Sequence, residues 1–489
     1  MTASNLPALL FLVPFLAALL AAAAGRFSPA AARWVAHGGL LGTAVLAVAA
    51  VPRVLAEGGL RTELGGWPPP IGIEVLLDPL SAFMAVVVAV VGLVIVVGSH
   101  GQLRRELPRQ EALYYPTALL MFSGLMGILI TADLFNLFVQ IELTSLSAYA
   151  LVAAGGRGAP RAGLNYLIIG SFGASIYLTG TGFIYAATGS LNMADVAQRL
   201  AGAEPRLVLI GGLLMVAGLG VKMALFPLHL WMPNAYSRGP SVSATLMAPL
   251  VTKVSAYALL RVMFWVFGRD GLGEERFLLD VIALGGAAAA VAGGVMALVQ
   301  SDLRRLLAYS SIGQMGIVAL GIGLANRDGL VGATLHIAND ALMKAVLFLA
   351  AGTALLQFGV RRVDDLHRLR GRAPWTSAAI AVAALSLVGI PPLAGFFGKW
   401  YVLSGTLAAG RWWLTAALVL GSLASVGYVI RILERLYFGP VPEGDDAREG
   451  DTRALVAGAT LAALIILVGV FNAKLVTTLI VPGLPAVMR

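Results

Sequence analysis

The chain has 489 residues, 59% of them apolar and only 12% charged, with a mean hydropathy of +0.87; soluble domains carry roughly 25% charged residues, so composition excludes a water-soluble fold. There is no cysteine, which excludes disulfides, thiolate-held iron–sulfur clusters and thioether-bound haem, and we expect no cofactor of the chain's own. The net charge of +9 comes from arginines in short loops rather than from one basic face, so we expect no nucleic-acid partner.

Apolar runs of about 20 residues recur along the chain, and each can cross a hydrocarbon core about 30 Å thick as a helix. They predict fourteen transmembrane helices, at residues 5–25, 33–52, 75–97, 114–132, 134–154, 161–188, 206–231, 240–267, 277–299, 305–324, 330–357, 375–404, 411–437 and 453–481. The runs lack the alternation of a β-barrel, so the predicted fold is an all-α integral membrane protein. No Lys or Arg precedes the first run, which favours a retained helix over a signal peptide.

Loop arginines predict the orientation of these helices. When the loops are assigned alternately to the two sides, one side holds about twice as many arginines as the other. The positive-inside rule makes the richer side cytoplasmic, and with an even number of spans both termini face outward. The predicted location is therefore the inner (cytoplasmic) membrane, with many passes.

Lysine is used differently from arginine. Only five of the 34 basic residues are lysines, and all lie within apolar spans: Lys222, Lys253, Lys344, Lys399 and Lys474. A buried lysine can lose its proton, whereas arginine cannot. Each mid-membrane charge costs about 2.5–3.5 kcal/mol, so four deep lysines indicate a functional role as proton relays. The fifth, Lys474, lies near a span end, where a lysine can reach the interface.

Acidic and imidazole groups accompany these lysines. Glu142 lies eight residues into the fifth span, and we predict that it pairs with Lys222 on another helix. His336, Asp340 and Lys344 recur at four-residue spacing, which places them on one face of the eleventh span. A single His336 would be interpreted as a core residue, but the triplet predicts a proton wire.

Prolines interrupt two of the predicted helices beside a lysine. Pro227 follows Lys222 in the seventh span and Pro233 lies just after the end of that span, and Pro391 and Pro392 precede Lys399 in the twelfth. Proline frees backbone carbonyls that can bind water or ions, although it can also merely kink a helix. Paired interrupted helices indicate an ion site and an inverted repeat. The predicted organisation is an N-terminal three-helix segment (1–110), two five-helix repeats (111–268 and 269–437), and a cytoplasmic loop with a C-terminal helix (438–489).

Several of these segments together resemble the antiporter-like family shared by respiratory complex I, membrane-bound hydrogenases and Mrp-type cation/proton antiporters. The resemblance covers residues 77–81, 133–142, 222–253, 303–312, 344–352 and 389–396. It implies a pathway with these roles: Glu142 and Lys222 as the coupled pair of one half-channel, Lys253 as the central relay, His336 and Lys344 as the bridge, and Lys399 as the end of the other. Two residues depart from the family pattern: Asp340 stands where a second histidine is frequent, and Asn234 where an aspartate is frequent.

Within that family, the amino-acid sequence just before Glu142 is most similar to that of the D subunit of Mrp-type antiporters. The expected function is proton translocation by one subunit of a Na⁺/H⁺ antiporter, with other membrane subunits, lipid, H⁺ and either Na⁺ or K⁺ as partners. One alternative is a proton-pumping subunit of an NADH-quinone oxidoreductase or a membrane-bound hydrogenase. A second is a non-conducting membrane scaffold, in which the lysines would tolerate leucine. No catalytic site of its own is predicted.

Overall fold

The first part of the chain combines long helices with a small sheet. A computed structural model describes residues 2–268, 276–440 and 449–488. Its first long helices are α1 (Leu6–Gly25), α2 (Pro29–Glu57) and α3 (Pro79–Gly98). Between α2 and α3, strand β2 (Leu60–Glu63) pairs in parallel with β1 (Thr2–Ala3) and antiparallel with β3 (Glu74–Leu77). The sequence prediction did not include this sheet.

The remaining helices follow in chain order. The first half continues with α4 (His100–Glu106), α5 (Glu111–Ile130), α6 (Leu134–Ala153), α7 (Ala159–Thr188), α8 (Met193–Arg199), α9 (Pro205–Lys222), α10 (Met232–Arg238), α11 (Ser241–Met247) and α12 (Val251–Arg261). The second half contains α13 (Phe277–Leu298), α14 (Leu303–Leu324), α15 (Arg327–Phe358), α16 (Pro374–Val388), α17 (Ala394–Ala408), α18 (Trp412–Tyr437), α19 (Thr452–Val470), α20 (Asn472–Leu475) and α21 (Val481–Gly483). Shorter 3₁₀ and π-helical segments are Leu64–Gly66, Leu200–Gly202, Val262–Phe267, Val363–Leu369, Val476–Ile480 and Ala486–Met488.

The predicted spans correspond to these helices. Among the described residues, thirteen helical segments are long and apolar enough to cross a membrane, one of them the combined segment Ser241–Phe267. Helices α16 and α17 together occupy the predicted span 375–404. The prediction of an all-α integral membrane protein is therefore confirmed. Residues 269–275, next to the predicted domain boundary, and 441–448, in the predicted cytoplasmic loop, lie outside the described residues.

The two predicted helix interruptions lie at the ends of α9 and α16. Helix α9 ends at Lys222, Pro227 lies in the following turns, and Pro233 lies in the first turn of α10. Pro233 thus begins a helix rather than breaking one, because the first turn needs no N–H from that position. Helix α16 ends at Val388 and is capped by Gly389, whose φ of +94° suits a glycine, and Pro391 and Pro392 precede α17.

Close packing in the second half depends on glycines that face each other across α13 and α14. A Cβ atom added to Gly293 would lie 2.4 Å from the backbone nitrogen of Gly313, and one on Gly316 would lie 2.3 Å from that of Ala290. Small residues let helix backbones approach closely within a membrane. Helix α14 is consequently buried along its length, and its polar side chains face the protein interior.

Candidate proton pathway

Lys222, the last residue of α9, contacts three oxygens of α6. Its Nζ lies 3.4 Å from Glu142 Oε1 and donates to Ser145 Oγ at 2.8 Å and to the Tyr149 hydroxyl at 3.2 Å. Glu142, Ser145 and Tyr149 lie on one face of α6 because they are three and four residues apart. The Lys222 side chain is 6% exposed and that of Glu142 is 23% exposed. The two predicted partners are therefore in contact, and Lys222 also donates to the hydroxyl groups of Ser145 and Tyr149.

A tryptophan holds the chain where α9 stops. The indole Nε1 of Trp231 donates to the carbonyl of Val221 at 2.8 Å, so one carbonyl freed at the helix end has a partner. Tyr166 of α7 stacks on Trp231 with ring centres 4.0 Å apart, and it also meets Tyr149 edge-on at 4.6 Å. This aromatic cluster fixes the helix end that carries Lys222.

Lys253 of α12 forms an ion pair with Asp340 of α15. Lys253 Nζ lies 2.7 Å from Asp340 Oδ2 and also donates to the carbonyl of Ala248 at 2.9 Å. Ala248 lies in the interruption between α11 and α12, where its carbonyl is free of a helical partner. The ion pair therefore connects a residue of the first predicted repeat (111–268) with one of the second (269–437).

Lys344 lies four residues after Asp340 on α15 and has different partners. Its ammonium donates to Ser310 Oγ and lies 3.5 Å from the carbonyl of Leu307, both on α14. Asp340 is turned to Lys253 instead, so the two side chains of this predicted stripe diverge. Spacing along one helix places residues on one face, but it does not decide which neighbouring helix each one contacts.

His336 lies one turn before Asp340 and contacts α14 as well. Its Nε2 is 2.9 Å from Gln314 Oε1, and its side chain is fully buried. Its Nδ1 has no hydrogen-bond partner among the described residues. Each member of the predicted stripe thus bonds to another helix. Among the hydrogen bonds and ion pairs of the described residues, none joins His336, Asp340 and Lys344 to one another.

Lys399 of α17 is bound by the backbone of the interrupted twelfth span. Its Nζ donates to the carbonyls of Leu387 at 2.8 Å and Val388 at 3.1 Å. Both carbonyls lie in the last turn of α16, where a helix leaves acceptors unpaired. Lys399 also lines a cavity of about 240 Å³ between α17 and α18, beside Ser422. Lys474, by contrast, is exposed on α20.

Sequence reasoning did not identify several of these partners: Ser145, Tyr149, Ala248, Ser310, Gln314, Leu387 and Val388. Ser145 and Tyr149 could have been found from their helical spacing to Glu142. Carbonyls carry no side-chain signal, so those of Ala248, Leu387 and Val388 become recognisable only once the helix ends are known. Ser310 and Gln314 are polar residues in an apolar span, which is a weaker signal because Ser and Gln also serve helix packing.

The chain is similar to membrane proteins of known families. Residues 131–425 match the transmembrane family described as NADH:quinone oxidoreductase/Mrp antiporter. An NADH-quinone oxidoreductase subunit N of Desulforudis audaxviator (strain MP104C) is 41% identical, with 99% of each chain covered. The D subunit of a Na⁺/H⁺ antiporter of Bacillus subtilis (strain 168) is 28% identical and covers 85% of this chain and 83% of its own.

A solved structure extends the likeness to three dimensions. A chain of the membrane-bound sulfane sulfur reductase, an archaeal respiratory membrane complex, is 30% identical, with a TM-score of 0.91 and 97% of each chain covered. The family resemblance noted in the sequence is confirmed. The finer preference for the D subunit of an antiporter is not specifically supported, because the matches include both an oxidoreductase subunit and an antiporter subunit.

Proposed function

Because the chain belongs to the NADH:quinone oxidoreductase/Mrp antiporter transmembrane family, as an antiporter-like membrane subunit, we propose that it translocates protons within a multisubunit complex. The proposed carriers are Glu142, Lys222, Lys253, His336, Asp340, Lys344 and Lys399, joined by intervening water.

The main support for this proposal is that its lysine amines are buried and can exchange protons. Four lysine amines lie inside the protein, each with at least one oxygen partner, and a buried amine can accept and release a proton. An ammonium group repels Na⁺ and offers it no lone pair, so the carried ion along this route is H⁺. Any Na⁺ or K⁺ exchanged by the complex would then pass by another route.

Charge coupling can drive the transfer. At an effective dielectric constant of about 20, an ion pair near 4 Å is worth about 4 kcal/mol, enough to change a lysine pKa by several units. Loss of the Glu142 contact would therefore favour proton release from Lys222 towards Lys253. In this scheme the two ion pairs, Glu142–Lys222 and Asp340–Lys253, are the elements that switch.

Partner subunits are proposed at both ends of the route. Glu142 shares an outward face of α6 with the exposed side chains of Phe135, Val139 and Leu146. A partly exposed carboxylate among apolar side chains at membrane depth is costly unless another protein covers it. At the other end, the cavity beside Lys399 opens at the surface of the chain. Both features favour contacts with further membrane subunits.

The organisation of the chain within the membrane is part of this proposal. The interrupted segments after Lys222 and before Lys399 support two inverted five-helix repeats, at 111–268 and 269–437, after an N-terminal three-helix segment at 1–110 and before a cytoplasmic loop and C-terminal helix at 438–489. We place the chain in the inner (cytoplasmic) membrane with both termini on the outer side, following its loop arginines.

A redox-driven complex is the first candidate for the assembly. The relative named NADH-quinone oxidoreductase subunit N is 41% identical over nearly the whole of both chains, which supports this choice. The second candidate is the Mrp-type Na⁺/H⁺ antiporter of the sequence prediction, supported by the relative named as the D subunit of such an antiporter. Purification of the complex through a tag on this chain distinguishes them. Iron and flavin in the purified complex would support the redox candidate, and Na⁺-dependent proton exchange without them would support the antiporter.

Proton transport in membrane vesicles tests the function itself. We expect Lys222→Met and Glu142→Gln to reduce transport by roughly 100-fold, the scale on which positioned proton-transfer groups act. Lys474→Met is the matched control, because this lysine is exposed on α20, away from the route. Normal transport by Lys222→Met at normal levels of the complex would refute the proposal and favour a non-conducting scaffold.

A further inference from the structure

The two nitrogens of the His336 imidazole have unequal surroundings. Nε2 is 2.9 Å from Gln314 Oε1, whereas Nδ1 has no hydrogen-bond partner among the described residues. An amide oxygen can only accept, so Nε2 of a neutral His336 must carry the ring proton. The lone pair then lies on Nδ1, which is the only nitrogen free to take up another proton.

The free nitrogen faces α17 at a glycine. A Cβ atom at Gly398 would lie 2.7 Å from Nδ1 and 2.9 Å from Cβ of His336, so no larger residue fits without displacing the ring. Gly398 directly precedes Lys399 in the chain. The open side of the imidazole therefore faces α17, the helix that also carries Lys399.

We propose that Gln314 is a positioning residue that fixes the proton of neutral His336 on Nε2, so that His336 exchanges protons only at Nδ1, on the Lys399 side. This rests on the proposed function. In the exchange, the N–H bond of the Lys399 ammonium breaks and an N–H bond forms at Nδ1 through water, which leaves a neutral amine and an imidazolium. The reverse step returns the proton through the same nitrogen.

The consequence is that His336 takes up and releases protons at one nitrogen, Nδ1, rather than passing them through the ring from one nitrogen to the other. A pass-through histidine receives a proton at one nitrogen and loses another from the second. Here the second nitrogen is bonded to an amide oxygen, and a glutamine amide has no titratable proton near neutral pH. Protons on their way between Lys344 and Lys399 would therefore not cross the ring from Nε2 to Nδ1.

Solid-state NMR of the complex with ¹⁵N-histidine in this chain tests the assignment. The signal of His336 is identified as the one lost in His336→Gln, and its shifts report which nitrogen carries the proton. We expect the Nε2–H form in the wild type and a mixture of both forms in Gln314→Met, which has the same length but no amide oxygen. Proton transport by Gln314→Met should fall by roughly 10-fold or more. Gln102→Met is the matched control, because Gln102 is also buried against α15, bonded to the carbonyl of Leu349.

A second variant acts on the other side of the ring. Gly398→Ala places a methyl group against Nδ1 and should abolish transport while the complex assembles, whereas Gly182→Ala on α7, where an added Cβ meets nothing within 4 Å, should not. An Nδ1–H signal in the wild type, an unchanged signal in Gln314→Met, or normal transport by Gly398→Ala would overturn the proposal. The wild-type spectrum tests the position of the proton even if Gln314→Met does not fold, because it needs no substitution at position 314. If the wild-type complex moved no protons while the Nε2–H signal was present, the proposed function would fail and the positioning by Gln314 would stand.

Discussion

Lys253 Nζ lies 2.7 Å from Asp340 Oδ2, and the two side chains are 1% and 0% exposed. A buried ion pair is weak evidence for stability, because removing both charges from water costs about as much as their attraction returns. Its place between α12 and α15 instead suits a switch, since either partner left alone would be strongly disfavoured.

We predict that Asp340→Asn destabilises the complex by about 3–5 kcal/mol, because it leaves the Lys253 charge buried without a counter-ion. Transport should fall with it. The apparent melting temperature of the purified complex and proton uptake by vesicles measure the two effects.

The double variant Lys253→Met, Asp340→Leu is the control for this prediction. It removes both charges and fills the space with apolar groups, so stability should return to near the wild-type level while transport stays absent. A double variant that transports protons would show that the pair is structural only.

Lys399→Arg should abolish proton transport without loss of assembly. Arginine keeps the positive charge and can donate to the carbonyls of Leu387 and Val388, but it cannot release its proton. Proton uptake and the amount of complex in the membrane are the measurements. The same change at the exposed Lys474 should have no effect. Transport by Lys399→Arg would mean that Lys399 only supplies charge.

The ion pair between Asp78 and Arg261 should affect stability alone. Arg261 Nη1 lies 2.5 Å from Asp78 Oδ2, and Asp78 also caps α3 by accepting from the Ser81 backbone N–H at 2.8 Å. Asp78→Asn keeps a capping oxygen but leaves Arg261 unpaired, for a loss of about 3 kcal/mol. Asp78→Ala also removes the cap and should cost about 1 kcal/mol more.

Melting of the purified complex measures both Asp78 variants, and transport is normalised to the amount of complex present. Transport per complex should match the wild type, because neither residue contacts a member of the proposed route. A specific loss of transport in Asp78→Asn would place this pair in the pathway.

His100 should make the complex less stable as the pH falls. This residue lies in α4, outside the spanning helices, and burial, followed by the charges of nearby arginines, lowers its pKa from 6.5 to about 4. Arg33 donates to Nε2 at 2.9 Å, so the neutral ring donates from Nδ1 to the Tyr115 hydroxyl at 2.9 Å. The unfolded chain therefore binds more protons than the folded one between about pH 6.5 and 4, and stability decreases over that window.

The melting temperature at pH 7.5 and pH 5 tests this sign. The melting temperature of His100→Gln should fall less than that of the wild type between pH 7.5 and pH 5, whatever its value at pH 7.5. The charged and titratable groups around His100 are Arg33, His37, Arg104, Glu111 and Arg453. An equal decline in both proteins would show that these neighbours, not His100, carry the pH dependence.

The sequence predicted the fold class and the depth of the lysines because both are local properties. The length of an apolar run sets a span, and a lysine's distance from the run's end sets its depth. It predicted Glu142 beside Lys222 from the cost of a lone buried charge and from the family resemblance. The small sheet of Leu60–Glu63 and Glu74–Leu77 was omitted because a few residues of strand carry too little periodic signal.

What the sequence by itself determined is which titratable side chains lie deep within apolar runs: the four lysines far from the ends of their runs are buried, whereas Lys474, near the end of the last run, is exposed. Only the tertiary structure decided the partners, since Asp340 turns to Lys253 rather than to Lys344, and His336 turns to Gln314. The reason is physical. Periodicity fixes the face of a helix on which a side chain lies, whereas its contact depends on which helix packs there and where that helix stops.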